Sequence, residues 1–198
     1  MLRAVISGTV AVLMTPSMAV GQQTVSEPPD PYIHAAANMA FPAAIDGFVR
    51  SRVIEYDDEG VDASVEYGLP ALGSPIWMTV YIYPASYAPC EQDFADADAA
   101  ISQNEGITGS RNIAPITPSA FAGVEQYSAS YSIEPGALNA NHPRMETRLW
   151  IACPSGSEMH IKIRATYEFG SAGQARPIPQ RLLDTLDWSV FAIERPDP

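Results

Sequence analysis

The stretch from Glu146 to Phe169 restricts the fold more than any other part of the chain. An apolar run ending in Leu149, Trp150, Ile151, Ala152 and Cys153 enters Pro154-Ser155-Gly156-Ser157, and Glu158 to Phe169 returns. The returning segment alternates strictly. Met159, Ile161, Ile163, Ala165 and Tyr167 fall on one side, and His160, Lys162, Arg164 and Thr166 on the other. Successive strand side chains point to opposite faces, so this period of two predicts a hairpin with one face on a core and one carrying polar groups.

Other strands follow from the same signal. One is expected near Phe48 to Asp57 and a second around Ala63 to Tyr67, with Asp57-Asp58-Glu59-Gly60 turning between them. Gly60 supplies the positive φ that such a turn often needs. Ile76 to Tyr83 is apolar or aromatic on both faces, which predicts a central strand covered on both sides. A long strand is expected from Phe121 to Ile133. Two segments have helical spacing. In Glu91 to Asn104, Phe94, Ala97 or Asp98, and Ile101 share a side, with Glu91 and Asp93 in the first turn, where acids suit the helix dipole. Pro179 opens a final helix with Leu182, Leu183 and Leu186 together, and Trp188 and Phe191 pack where it ends. Residues 105–119, 135–143 and 170–177 read as loops. The order is three strands, a helix, three strands, a helix. It predicts an α+β fold: an antiparallel-dominated sheet of about six strands packed with two main helices.

The N-terminus has the pattern of an export signal. Arg3 is a short basic start, Ala4 to Met14 are apolar, and Ser17-Met18-Ala19 places small residues where a signal peptidase cuts. Cleavage after Gly21 competes with cleavage after Ala19. The apolar run is about half the roughly 20 residues needed to span a bilayer, and Gly8, Thr9 and Pro16 interrupt it, which argues against an uncleaved anchor. No later segment is long and apolar enough to span, so the mature chain is expected to have no integral membrane span. The expected division is a signal peptide over 1–19, a flexible tether over 20–40 and a single α+β domain over 41–198. The tether follows from Pro28, Pro29 and Pro31, which lack donors and fix φ. A short helical turn around His34 to Met39 is compatible with it.

Charge excludes some partners. The chain carries a formal net charge of −12, and Lys162 is its one lysine. Such a surface repels phosphate backbones and acidic lipid headgroups, so nucleic acid is not an expected partner. Cys90 precedes the first helix and Cys153 closes an apolar strand. In an oxidising compartment an even pair reads as a disulfide, the alternative being two buried thiols. The bridge would pin a helix start to a strand end and stabilise by about 4 kcal/mol on the chain-entropy model.

Four patches carry a family resemblance: Phe41-Pro42-Ala43-Ala44-Ile45-Asp46-Gly47-Phe48, Thr79-Val80-Tyr81-Ile82-Tyr83, the mid-chain helix, and Leu182-Leu183-Asp184-Thr185-Leu186-Asp187-Trp188. In topology and texture the chain resembles the Mog1/PsbP-like group, which includes the DcrB-type exported bacterial proteins. The resemblance implies an α/β/α sandwich over about 150 residues, and binding or accessory roles without a shared active site. It transfers no catalytic residue.

Chemical motifs are sparse. There is no G-x-S-x-G elbow and no S-x-x-K. His34, His142 and His160 lack metal-ligand spacing, so no metal or cofactor is expected. Residues 57–62 are acidic but lack the order of a calcium loop. Asp93, Asp96 and Asp98 read as a solvated helix face. The aromatic residues point further. Trp77, Tyr81 and Tyr83 share one face of the central strand, Tyr127 and Tyr131 repeat the spacing on another, and Arg148 and Trp150 share a side of a third. Brought together, these seven would form an aromatic surface edged by arginine, suited to a partner's hot spot or a small ligand; the alternative is that helices cover it as core. The expectation is a periplasmic or secreted binding or accessory protein that contacts another envelope protein. The alternatives are a small apolar-ligand binder with a pocket between sheet and helix, and an unrecognised hydrolase.

Overall fold

The computed structural model describes residues 21–69, 76–111, 121, 123–137, 141–168 and 177–191. The expected export signal lies outside them, as do residues 112–119 of the loop expected at 105–119 and residues 170–176 of the one expected at 170–177. In chain order the elements are β1 (Gln23–Thr24), β2 (Tyr32–Ile33), β3 (Ala40–Phe41), β4 (Ala44–Ile45), β5 (Phe48–Glu55), β6 (Ala63–Leu69), β7 (Ile76–Pro84), α1 (Cys90–Ser102), β8 (Ile107–Arg111), β9 (Glu125–Ile133), β10 (Met145–Cys153), β11 (Met159–Glu168) and α2 (Pro177–Thr185).

The fold is α+β. Among the described residues nine strands form one sheet in the order β1-β5-β6-β7-β11-β10-β9-β8, with β4 also paired to β5, and every pairing is antiparallel. The sheet therefore exceeds the six strands expected. The additions are two-residue strands at the N-terminus and β8 inside the stretch expected as a loop. β8 needs Gly109: a Cβ there would meet the Tyr131 ring at 2.7 Å. Gly60 has the expected positive φ, at 67°.

One face of the sheet carries Met78, Val80 and Ile82 from β7, Ile161, Ile163, Ala165 and Tyr167 from β11, and Trp150 from β10. Leu182, Leu183 and Leu186 of the C-terminal helical segment pack into the same cluster. Phe121 lies edge-on to both Trp150 and Trp188, with centroids 5.6 and 5.3 Å away. Phe121, Trp150 and Trp188 are all buried, and rings of this size bury a large apolar area. On the opposite face, Cys90, Phe94 and Ile101 of α1 pack on Ala129, Tyr131, Leu149 and Ile151.

The stretch expected as a tether is folded onto the sheet where it is described. Tyr32, His34 and Met39 are buried, and β1 pairs with β5. The prolines do remove donors, but their carbonyls are used: the Arg50 guanidinium donates to the carbonyl oxygens of Pro28, Pro29 and Phe41. His34 is held neutral there. Its Nδ1 accepts from the Ala37 N–H, its Nε2–H donates to the Ile82 carbonyl, and burial pushes its pKa below the ordinary value.

Candidate functional site

Antiparallel register lines up side chains in rows across the α1 face of the sheet. One row runs Val49, Gly68, Trp77, Thr166, Thr147, Tyr131. The next runs Arg52, Glu66, Thr79, Arg164, Leu149, Ala129, and a third runs Ile54, Ser64, Tyr81, Lys162, Ile151, Tyr127. The rows begin on β5 with exposed Val49, exposed Arg52 and buried Ile54, and end on β9 beneath α1.

The α1 end is closed. The Cys90–Cys153 disulfide joins the first residue of α1 to the last of β10, with Cα atoms 6.0 Å apart. Phe94 stacks on Tyr127 at 5.5 Å. Asp98, 5% exposed, accepts a hydrogen bond from the Tyr131 hydroxyl at 2.7 Å. Asp93 Oδ2 accepts from the Tyr83 hydroxyl at 2.6 Å and pairs with His160 Nδ1 at 2.9 Å. Burial, reinforced by the Asp93 carboxylate, holds the Tyr83 phenol protonated. Two of the three helix acids expected on a solvated face are thus engaged with the sheet, and only Asp96 is exposed. Helical spacing places an acid at an angle, but it does not show that a tyrosine waits opposite.

The other end is open. A groove of about 410 Å³ lies over β5, β6, β7 and β11. Trp77, Thr79 and Tyr81 form its floor, all half-buried. The His142 ring stands edge-on to Trp77 at 6.0 Å. On the other side of Trp77, Gly68 contributes no side chain, and a Cβ there would meet nothing within 4 Å. Arg52 pairs with Glu66 at 2.8 Å, and Ser51 donates to the same carboxylate. A smaller cavity of about 130 Å³ continues beneath α1, walled by Ala97, Ala100 and Ile101, and shares Tyr81 and Arg164 with the groove.

Two cations stand where the spaces meet. Arg164 uses Nε to donate to Thr147 Oγ1 at 3.3 Å. Lys162 places its ammonium 4.5 Å from the Tyr81 centroid and 5.2 Å from that of Tyr83, within cation–π range. Burial lowers the Lys162 pKa, an effect opposed by the Asp93 and Asp62 charges. Asp62 is pushed up to about 6 by burial and then by the Asp57 carboxylate. Asp57 itself accepts the Val61 and Asp62 N–H groups, which closes the acidic turn internally.

The structure therefore divides the seven residues expected to form one aromatic surface. Trp77 and Tyr81 line the groove. Tyr83, on the same face, is turned to Asp93, and Tyr127 and Tyr131 lie under or beside α1. Arg148 and Trp150 are on the opposite face, because Trp150 lies in register with Ile163, whose side chain belongs to the core on that face. There Arg148 pairs with Glu146 at 3.0 Å and Trp150 donates to Gln126. The residues that complete the groove were not singled out from sequence: Arg52, Glu66, His142 and Arg164. Their available signal was strand parity, which sets Lys162 and Arg164 together on the polar side of β11. Among the described residues no group of three or more His, Cys, Asp or Glu side chains could hold a metal ion. No helix among them is long and apolar enough to cross a membrane. No family model, curated protein or solved structure matches the chain.

Proposed function

We propose that this chain is an exported binding protein that takes a small molecule in the groove over β5, β6, β7 and β11. The carrying observation is the groove itself: a concave surface of about 410 Å³ with two half-buried aromatic rings on its floor. That volume falls in the range of small-molecule sites. The rings give apolar contact area, and the threonine, arginine and glutamate side chains around them give orientation.

A protein partner docking on a broad aromatic face has less support, since only Trp77 and Tyr81 of the seven expected residues open onto this groove. A hydrolase also has less support. His160 is oriented by Asp93 as a catalytic base would be, but among the described residues no serine, threonine or cysteine is hydrogen-bonded to it. Export is read from the N-terminal leader, and the Cys90–Cys153 bridge fits an oxidising compartment. Affinity to the Mog1/PsbP-like sandwich belongs to the same reading and rests on element order.

The test is an NMR screen of a mixed small-molecule library against the wild type and Gly68→Phe. The new ring would project beside Trp77 into open space. Hits that shift Trp77, Thr79 and Tyr81 and are lost in the folded variant are expected. Hits that map elsewhere, or bind the variant equally, would remove the proposal.

A further inference from the structure

We infer that the groove's ligand carries an oxyanion group on a flat body, with Arg164 as the anchor for the anion and Trp77 as the platform for the body. This rests on the small-molecule reading above and names the ligand's class.

The charges give the first argument. The chain as a whole is strongly acidic, at −12. The groove is not. Arg52 and Glu66 neutralise each other, and Ser51 takes a further share of the Glu66 oxygens. Arg164 remains, with no carboxylate at ion-pair distance among the described residues. Lys162 lies two residues along the same strand and on the same face, about 6.5–7 Å on by strand rise. It too has no carboxylate at ion-pair distance among the described residues; its ammonium rests on tyrosine rings. An anion entering the groove meets the Arg164 charge, uncancelled in contact; Lys162 stands behind it in the cavity beneath α1, with the Asp93 and Asp62 charges acting on it from beyond ion-pair distance.

Geometry gives the second. A guanidinium has five N–H donors in a planar fork. Arg164 commits one of them, at Nε, to Thr147. Both terminal nitrogens stay available at the junction of the groove and the cavity beneath α1. This is the arrangement that binds a carboxylate or phosphate by two parallel hydrogen bonds, which the point charge of a lysine does not reproduce. Thr79 lies opposite Arg164 in register and adds a hydroxyl beside the anion.

The platform gives the third. Trp77 is one row from Arg164, since Thr166, its register partner, is two residues along β11. Its ring is flanked by His142 on one side and by bare Gly68 on the other, with exposed Val49 beyond Gly68. A flat apolar body fits the slot left by the missing side chain.

The test uses benzoate, phenyl phosphate and neutral benzamide as probes, followed by the indole N–H signal of Trp77 and the Nε–H signal of Arg164. Both anions should shift the two signals, and benzamide should bind about tenfold or more weakly. Added salt should weaken the anions and leave benzamide unchanged. In Arg164→Gln the anions should lose about tenfold while benzamide is unaffected, and Arg164→Lys should recover part of the loss. The stronger of the two anions identifies a carboxylate or a phosphate ligand. Equal binding of benzamide and benzoate, with no salt effect and full blockage by Gly68→Phe, overturns the anion assignment and leaves the groove reading intact. No shift of Trp77 with any probe overturns both.

Discussion

Beneath α1 the sheet presents Ala129, Tyr131, Leu149 and Ile151, each at most 2% exposed, while β7 presents Trp77, Thr79 and Tyr81 on the same face, all half-buried. Both regions are aromatic and apolar enough to serve as core. Their fates differ because of one connection. α1 follows β7 and leads to β8 at the far edge of the sheet, so the chain must cross β11, β10 and β9. The helix covers β10 and β9, meets β11 at Asp93 and His160, and leaves β5, β6, β7 and the Arg164–Thr166 part of β11 open on that side. Side-chain character decides which face of a strand is apolar; the path of the crossover decides which part of that face becomes core and which becomes a surface.

Substitutions can break or sharpen this contrast, because the covered half should respond in stability and the open half in binding. The largest effect is expected from Cys90→Ser with Cys153→Ser, which removes the bridge holding α1 in place. Stability should fall by about 4 kcal/mol, or about 8–16 °C in Tm for a chain of this size. An unchanged melting curve would mean that the helix is held without it. Leu149→Ala, under α1, should cost about 3 kcal/mol through lost burial and the cavity left behind, measured by urea unfolding. A cost under 1 kcal/mol would contradict the closed description of this half.

Asp62→Asn, at the open side, should move stability the other way. Its folded pKa of about 6 lies above the ordinary 3.8, so its favourable contribution is full below pH 3.8 and lost as pH rises through about 6. At pH 7 the variant should be more stable by about 1 kcal/mol, after discounting for solvent screening. The gain should disappear below about pH 4, and a gain independent of pH would refute the cause. The smallest effect is expected from Thr79→Ala, on the groove floor, within about 0.5 kcal/mol of the wild type. A loss as large as that of Leu149→Ala would show that the two halves are equally load-sharing.

Much of the fold was legible because the central strands are long and strictly patterned. β5, β6, β7, β9, β10 and β11 and both helices follow from alternation and helical spacing, and the Cys90–Cys153 pairing from an even cysteine count. β8 was not legible: Ile107-Thr108-Gly109-Ser110 has the composition of a loop, and its glycine is explained only by the Tyr131 ring against it. The N-terminal strands are two residues long, too short for any period to register. The site was legible in part. Parity gives the shared face of Trp77, Tyr81 and Tyr83, but it cannot align one strand's parity with another's. That is why Trp150 was grouped with the aromatic surface while its register with Ile163 turns it to the opposite core.

The fastening of α1 to β10 has a consequence for recognition. Ala97 and Ala100 form the wall above Arg164, and that wall belongs to a helix already anchored covalently at its first residue and again through Asp93. A molecule settling between them finds the enclosure assembled in advance. It need not recruit a moving lid, so none of its affinity is spent on immobilising one, and complexes formed here should tighten or loosen mainly with the contacts themselves.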